Sequence, residues 1–242
     1  MKQLALDLAA PPQPTLENFV TGVNGELLQH LRRLAARGAG EQCFFLWGRP
    51  GSGRSHLLRA TVAGLQRTGA AASYFACAPD APPAAGLERN DCVALDDVDR
   101  LDDAGQAAAF DLYNALRERG GVLLAAAAVP PAQLPLRGDL ATRLAWGLTY
   151  QVHALTDEAK AQALAERAAS RGFRLAPEVS EFLLTRASRD LPALLATLDA
   201  LDRYSLETRR PVSVPLAREL LFAATRQDPG SRIPDSAAGA GD

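Results

Sequence analysis

The residues most able to do chemistry form a glycine-rich stretch, residues 48–55. Its sequence is Gly48-Arg49-Pro50-Gly51-Ser52-Gly53-Arg54-Ser55. This matches the G-x-x-x-x-G-K-[ST] phosphate loop, except that Arg54 takes the lysine position. Glycines let backbone N–H groups curve around phosphate oxygens, and the N-terminus of a following helix adds its positive dipole end. We therefore predict a nucleotide site.

The nucleotide-binding residues predicted for this stretch are Pro50, Gly51, Ser52, Gly53, Arg54, Ser55 and His56. The Ser55 hydroxyl is placed to bind Mg²⁺. Arg54 can still neutralise a phosphate, but as a planar fork and not as a compact point charge. We expect nucleotide binding to survive this exchange and hydrolysis to suffer. All but two of the 26 basic residues are arginines, so an arginine here also agrees with the general bias of the chain.

Two adjacent carboxylates follow the apolar run 92–95, about forty residues further along the chain. An apolar strand ending in two acids has the form of a Walker B motif. In that role Asp96 would hold Mg²⁺ through water and Asp97 would polarise the attacking water. The metal site predicted from the sequence therefore consists of Ser55 and Asp96, acting through the nucleotide.

Arg143 is a third candidate, between the last core strand and the helical part of the chain. An arginine at this place could reach the γ-phosphate bound by a neighbouring subunit, where such fingers contribute roughly 10³–10⁵ in rate. Spacing alone fits a surface salt bridge better, because arginines are so abundant here.

The elements that must position these residues form an alternating pattern. Four continuous apolar runs are predicted strands: 43–47, 72–76, 92–95 and 122–126. Helices are predicted at 24–37, 54–67 and 104–118. Unbroken apolar strands separated by helices indicate an α/β fold with a parallel sheet covered on both faces.

Strand signals stop after Tyr150, and only helical patterns follow. These lie at 157–171, 177–187, 190–208 and 215–226. We predict an extended N-terminal arm (1–14), an α/β nucleotide-binding core (15–151), a small all-helical lid domain (152–226) and a disordered tail (227–242).

Composition excludes several classes of protein. The 242 residues carry a formal net charge of −2, which argues against a general nucleic-acid binder. Three cysteines form neither a disulfide framework nor a zinc site. No apolar run approaches the roughly 20 residues of a membrane helix, and an acidic residue near the N-terminus argues against a signal peptide. We expect a cytoplasmic protein.

The order and spacing of several short stretches resemble the AAA+ modules of the DnaA initiator family, and more closely its regulatory inactivators. The stretches are 3–8, 48–58, 110–114, 140–147, 155–158 and 171–173. The resemblance extends to about residue 222. It implies an AAA+ phosphate-loop core with a helical lid, ADP (or ATP) and Mg²⁺ as cofactors, and no helix-turn-helix domain for sequence-specific DNA binding.

The resemblance also implies partners. Gln3, Leu4, Leu6 and Leu8 match the family's short motif for the sliding clamp, the beta subunit of DNA polymerase III. Arg143 would complete the ATP site of DnaA in trans and speed hydrolysis there, so that the chain is a negative regulator of replication initiation at the replisome. Phe19 and Val20 stand where the family's adenine pocket begins.

Two positions depart from the family pattern. Alanines at 126–128 replace the polar sensor expected after the fourth strand, and Pro192 stands where a sensor arginine is usual. Arg189 could substitute for that arginine. Both departures weaken γ-phosphate sensing by this chain.

Two alternatives stay open at this point: an autonomous ATPase of helicase-loader type, and a structural AAA+ adaptor for the initiator. The Asp96–Asp97 pair favours the ATPase, whereas Arg54 and the lost sensors favour the regulator. Self-association through the nucleotide interface is also open.

Overall fold

The computed structural model describes residues 13–37, 40–187 and 191–227, with side chains up to residue 223. Contacts divide these residues into two compact units, 13–156 and 157–227. The predicted clamp residues Gln3, Leu4, Leu6 and Leu8 lie outside the described residues, as do Arg189 and the tail after residue 227.

The first unit is built on a parallel sheet. Its strands are β1 (Cys43–Trp47), β2 (Ala72–Ala76), β3 (Cys92–Asp96), β4 (Val122–Ala127) and β5 (Leu148–Gln151). They are arranged β2-β3-β4-β1-β5 with every neighbouring pair parallel. Because β4 lies between β1 and β3, the loops that follow β1 and β3 leave the same edge of the sheet on either side of β4.

Helices cover both faces of this sheet. They are α1 (Gly25–Ala35), α2 (Arg54–Arg67), α3 (Asp103–Glu118) and α4 (Gly138–Ala145). Successive residues of β1 point to opposite faces, so Phe44 packs in the core beneath α1 and α2 while Phe45 packs beneath α3 and α4. Central strands buried on both faces require the continuous apolar runs seen in the sequence.

The second unit is all-helical. It contains α5 (Asp157–Ser170), α6 (Pro177–Arg186), α7 (Leu191–Thr208) and α8 (Val214–Gln227) around a leucine-rich core. Arg167 donates two hydrogen bonds to Asp199, at 3.0 and 2.7 Å, and thereby ties α5 to α7. Arg171, directly after α5, donates a 2.6 Å hydrogen bond to Asp202 of α7.

The observed architecture confirms the predicted fold class, an AAA+ type parallel sheet with helices on both faces and a helical lid. Among the strands and α-helices of the structure, β5 and α4 were not predicted. The exposure of β5 alternates along the strand as expected at a sheet edge, so it lacks the continuous apolar run that marked the central strands. No helix among the described residues is long and apolar enough to cross a membrane.

Candidate nucleotide site

The glycine-rich loop joins β1 to α2, and α2 begins at Arg54. Gly53 caps the helix with φ +100° and no side-chain cap, so the first N–H groups of α2 have no capping side chain. A Cβ on Gly48 would lie 2.4 Å from the Val152 carbonyl oxygen. The backbone therefore passes where only glycine fits, and it presents a bare helix N-terminus that favours an anion.

The segment before α1 packs against this loop. A Cβ on Gly53 would lie 2.7 Å from the Phe19 ring, and the Phe19 and His56 ring centroids are 5.6 Å apart. His56 Nε2 lies 2.9 Å from the Thr15 carbonyl oxygen. The structure thus brings Phe19 and His56, two of the predicted nucleotide-binding residues, to one side of the loop, with Val20 half-buried next to Phe19 in the chain.

Arg54 and Asp97 form an ion pair across the site, with 3.2 Å between Arg54 Nη2 and Asp97 Oδ1. The Arg54 side chain is 9% exposed, and its Nη1 is buried without a hydrogen-bond partner among the described residues. Burial raises the pKa of Asp97, and the neighbouring Asp96 charge raises it further, whereas Arg54 lowers it. Asp97 also has a left-handed backbone, with φ +53°.

Asp96, at the end of β3, is 3% exposed and accepts a 2.7 Å hydrogen bond from the Tyr74 hydroxyl. The Arg59 guanidinium lies over the Tyr74 ring at 4.6 Å and donates to the same hydroxyl at 3.1 Å. Burial and the bond to Asp96 raise the pKa of Tyr74 to about 12. Tyr74 therefore stays protonated at neutral pH and donates its hydroxyl hydrogen to the carboxylate.

Tyr74 and Arg59 were not among the predicted site residues. Tyr74 could be assigned to the site only from the pairing of β2 with β3. In that pairing Ala76 lies opposite Asp96, and Tyr74 is two residues before Ala76. That register follows from the assembled sheet and not from local sequence.

The chemistry of the donors fits a phosphate group. Ser52 Oγ and Arg54 Nη1 are both buried without a hydrogen-bond partner among the described residues. Buried donors without partners are costly, and an oxyanion next to a helix N-terminus would satisfy them. The described residues contain no cluster of three His, Cys, Asp or Glu side chains that could hold a metal ion. Ser55 and Asp96 alone agree with Mg²⁺ carried largely by phosphates and water.

The end of β4 carries alanines where the family pattern has a polar sensor. Ala127 is buried, and the backbone N–H of Ala128 donates to Asp99 Oδ2 at 3.4 Å. Asp99 Oδ1 is buried without a partner in the described part of the chain. Pro192 is the second residue of α7, where its fixed φ suits a first helical turn.

Arg143 lies in the last turn of α4, away from the glycine-rich loop. Its guanidinium stacks on the Trp146 ring at 4.9 Å and lies 5.7 and 5.8 Å from the rings of Phe110 and Tyr113. A Cβ on Gly147 would lie 2.2 Å from the Cys43 carbonyl oxygen, which places the residues after α4 at the amino end of β1. The loop follows the carboxyl end of β1, about 16 Å away at the rise of an extended strand.

Solved structures share this fold. A DNA replication initiation factor is 20% identical with a TM-score of 0.65, over 81% of this chain and 66% of that chain. AMPPCP-bound DnaA from Aquifex aeolicus is 19% identical with a TM-score of 0.63, over 82% of this chain and 70% of that chain. Domain III of the Thermotoga maritima replication initiation protein DnaA is 19% identical with a TM-score of 0.68, over 87% of this chain and 96% of that one.

The sheet order, the glycine-rich loop and the helical second unit give the chain an AAA+ fold, which it shares with these DnaA structures. The chain spans about two thirds of the longer initiators and nearly all of the isolated domain III. Residues 157–221 match the family model of the Hda lid domain, and this stretch is almost the whole of the second unit. The second unit is thus similar to the lid domain of Hda, which agrees with the resemblance to the regulatory inactivators seen in the sequence.

Proposed function

We propose that the chain is an Hda-type negative regulator of replication initiation, which stimulates hydrolysis of the ATP bound to DnaA. The observation that carries this proposal is the match of residues 157–221 to the Hda lid domain, next to a core with the fold of DnaA domain III. In this role the chain holds ADP (or ATP) with Mg²⁺ and acts in the cytoplasm at the replisome.

The position of Arg143 supports action on a second protein. Its guanidinium is held among aromatic rings at the edge of the sheet opposite its own glycine-rich loop. An arginine that cannot reach the nucleotide of its own chain is free to enter a site on a neighbour. We propose that it enters the ATP site of DnaA and stabilises charge on the transferring phosphate.

The surroundings of Arg54 support weak hydrolysis by the chain itself. Both Walker B carboxylates already have protein partners, Asp97 the guanidinium of Arg54 and Asp96 the hydroxyl of Tyr74. The alanines at the end of β4 offer no side chain to orient a water molecule. These features favour a nucleotide that is held and not turned over.

The clamp residues Gln3, Leu4, Leu6 and Leu8 remain a proposal from sequence alone. They would tether the chain to the DNA-loaded sliding clamp, and the clamp would present it to ATP-bound DnaA. Self-association through the nucleotide interface is compatible with this scheme.

The deciding experiment measures phosphate release from pre-formed ATP–DnaA after addition of this protein with ADP and clamp loaded on DNA. We expect stimulation by the wild type and its loss, about 10³-fold or more in the stimulated rate, in Arg143→Ala. Arg117 provides a matched control because its guanidinium also lies over Trp146, at 5.8 Å. Arg117→Ala should keep most of the stimulation.

An autonomous ATPase of helicase-loader type is the second candidate, favoured by the intact Asp96–Asp97 pair. If the wild type hydrolyses ATP alone and leaves ATP–DnaA unchanged, this second function replaces the first. If it does neither but retains DnaA on a solid support, the structural adaptor is the better description.

A further inference from the structure

The guanidinium of Arg54 has two terminal nitrogens in different situations. Nη2 lies 3.2 Å from Asp97 Oδ1, whereas Nη1 is buried and has no hydrogen-bond partner among the described residues. Arg54 belongs to the first turn of α2, where the helix N-terminus favours an anion. One nitrogen is thus committed to a carboxylate, and the other is a buried donor beside a phosphate-binding loop.

An arginine in this position poses a problem that a lysine does not. An ammonium is a point charge with freely rotating donors, but a guanidinium is a rigid plane that binds well in few orientations. A second partner that fixes the plane therefore determines where the remaining donors point. Asp97 is the carboxylate that fills this role in the structure.

A carboxylate close to a phosphate site would by itself weaken anion binding, because like charges repel. Asp97 can favour phosphate binding in spite of that repulsion only if it orients a cationic group that contacts the phosphate. The backbone of Asp97 is held with φ +53°, a conformation that only asparagine, aspartate and glycine adopt readily. The carboxylate is thus held where it meets the guanidinium.

We propose that Asp97 is a positioning residue for Arg54: its carboxylate holds Nη2 so that Nη1 is directed at the terminal phosphate of a bound nucleoside diphosphate. The same geometry would recognise inorganic pyrophosphate. This inference rests on the proposed nucleotide site and reverses the role expected of Asp97 from sequence, where it polarises a water molecule. The acid strengthens nucleotide binding and is unavailable for hydrolysis.

The test is calorimetric titration of the full chain with ADP and separately with inorganic pyrophosphate. Asp97→Asn is the sharpest variant, since asparagine tolerates the left-handed backbone and removes only the charge. We expect it to weaken binding of both ligands about tenfold or more, because the buried Arg54 guanidinium would lose the charged partner that fixes its plane. Asp103→Asn, at the exposed start of α3, removes the same charge without the Arg54 contact and should leave binding unchanged.

A second arm uses Arg54→Lys. A lysine needs no partner to orient its donors, so adding Asp97→Asn in that background should change affinity less than about threefold. Thermal unfolding of each variant without ligand shows whether the fold is kept. A merely structural role for Asp97 would lower the unfolding temperature without this dependence on residue 54.

The outcomes separate the two proposals. If the wild type binds neither ligand, the nucleotide site and the inference both fail. If the wild type binds and Asp97→Asn binds equally well or more tightly, only the positioning role is overturned. The same conclusion follows if Asp97→Asn weakens binding by an equal factor in both backgrounds, since Asp97 would then act independently of Arg54.

Discussion

Two features of the structure require a glycine at position 53. The backbone has a positive φ where it enters α2, and the Phe19 ring lies where a side chain would be. The Gly53 φ of +100° is a conformation that L side chains rarely adopt, and a Cβ would lie 2.7 Å from the Phe19 ring. Gly51 shares only the first requirement, since its φ is +78° but a Cβ there would have no atom within 4 Å. Comparing a substitution at Gly53 with the same substitution at Gly51 therefore separates the cost of steric crowding from the cost of backbone strain.

We expect Gly53→Ala to destabilise the protein more than Gly51→Ala. Both substitutions incur backbone strain of about 1–2 kcal/mol, and only Gly53→Ala must also displace an aromatic ring that packs on the core. Thermal unfolding without nucleotide measures the difference. Equal unfolding temperatures for the two variants would mean that Phe19 moves aside without cost.

At the same scale, the sequence predicts candidate site residues but not the contacts between them. Residues 48–55 and the Asp96–Asp97 pair could be found because loop chemistry is local in the chain. The Arg54–Asp97 ion pair and the Tyr74–Asp96 hydrogen bond join residues brought together only by strand order and register. Local spacing carries no information about either contact.

The strands and helices were predictable where burial is uniform. The apolar run 43–47 and the helical pattern 54–67 match β1 and α2 residue for residue, because each packs against a continuous core. The short α4 and the edge strand β5 were missed, since eight residues of helix and four of strand leave little periodicity to detect. Those two elements position Arg143 and Trp146, so the place of the proposed finger had to come from the assembled fold.

Three buried cysteines in or next to the central sheet make the stability of the folded protein depend on pH. Cys43 on β1, Cys92 on β3 and Cys77 just after β2 are buried, and burial raises the pKa of each thiol to about 12. Thiols of the unfolded chain ionise near their ordinary pKa of 9.0. Between these values the unfolded state binds fewer protons than the folded state, so stability falls as pH rises.

We therefore expect the urea midpoint of unfolding to change little between about pH 7 and about pH 8.5 and to fall progressively above that range. The control is a variant with all three cysteines replaced by alanine, which will be less stable at about pH 8 but should lose less between about pH 8 and about pH 10.5. Equal losses in both proteins would assign the alkaline instability to other groups, of which Tyr74 is the first to examine.

At the scale of the whole molecule, the proposed arginine finger, Arg143, and the proposed clamp-binding segment, residues 3–8, would have separate tasks. With a formal net charge of −2, the chain lacks the excess of basic residues that holds proteins to DNA without sequence preference. In the proposed function, something other than net charge must therefore bring the chain to DNA-bound DnaA. A clamp-binding segment would supply that through effective concentration, while Arg143 would supply the chemistry.

The distinction predicts different behaviour for two variants as protein concentration rises. A chain lacking residues 1–8 should lose stimulation of ATP–DnaA hydrolysis at low concentration and regain it when added in about 100-fold excess, because mass action replaces the tether. Arg143→Ala should stay inactive at every concentration, since no amount of protein restores a missing guanidinium. The measurement is phosphate release as a function of added protein, with DNA-loaded clamp present throughout. Failure of excess protein to rescue the truncated chain would show that the N-terminal segment does more than tether, and full activity of that chain at low concentration would remove the clamp from the mechanism.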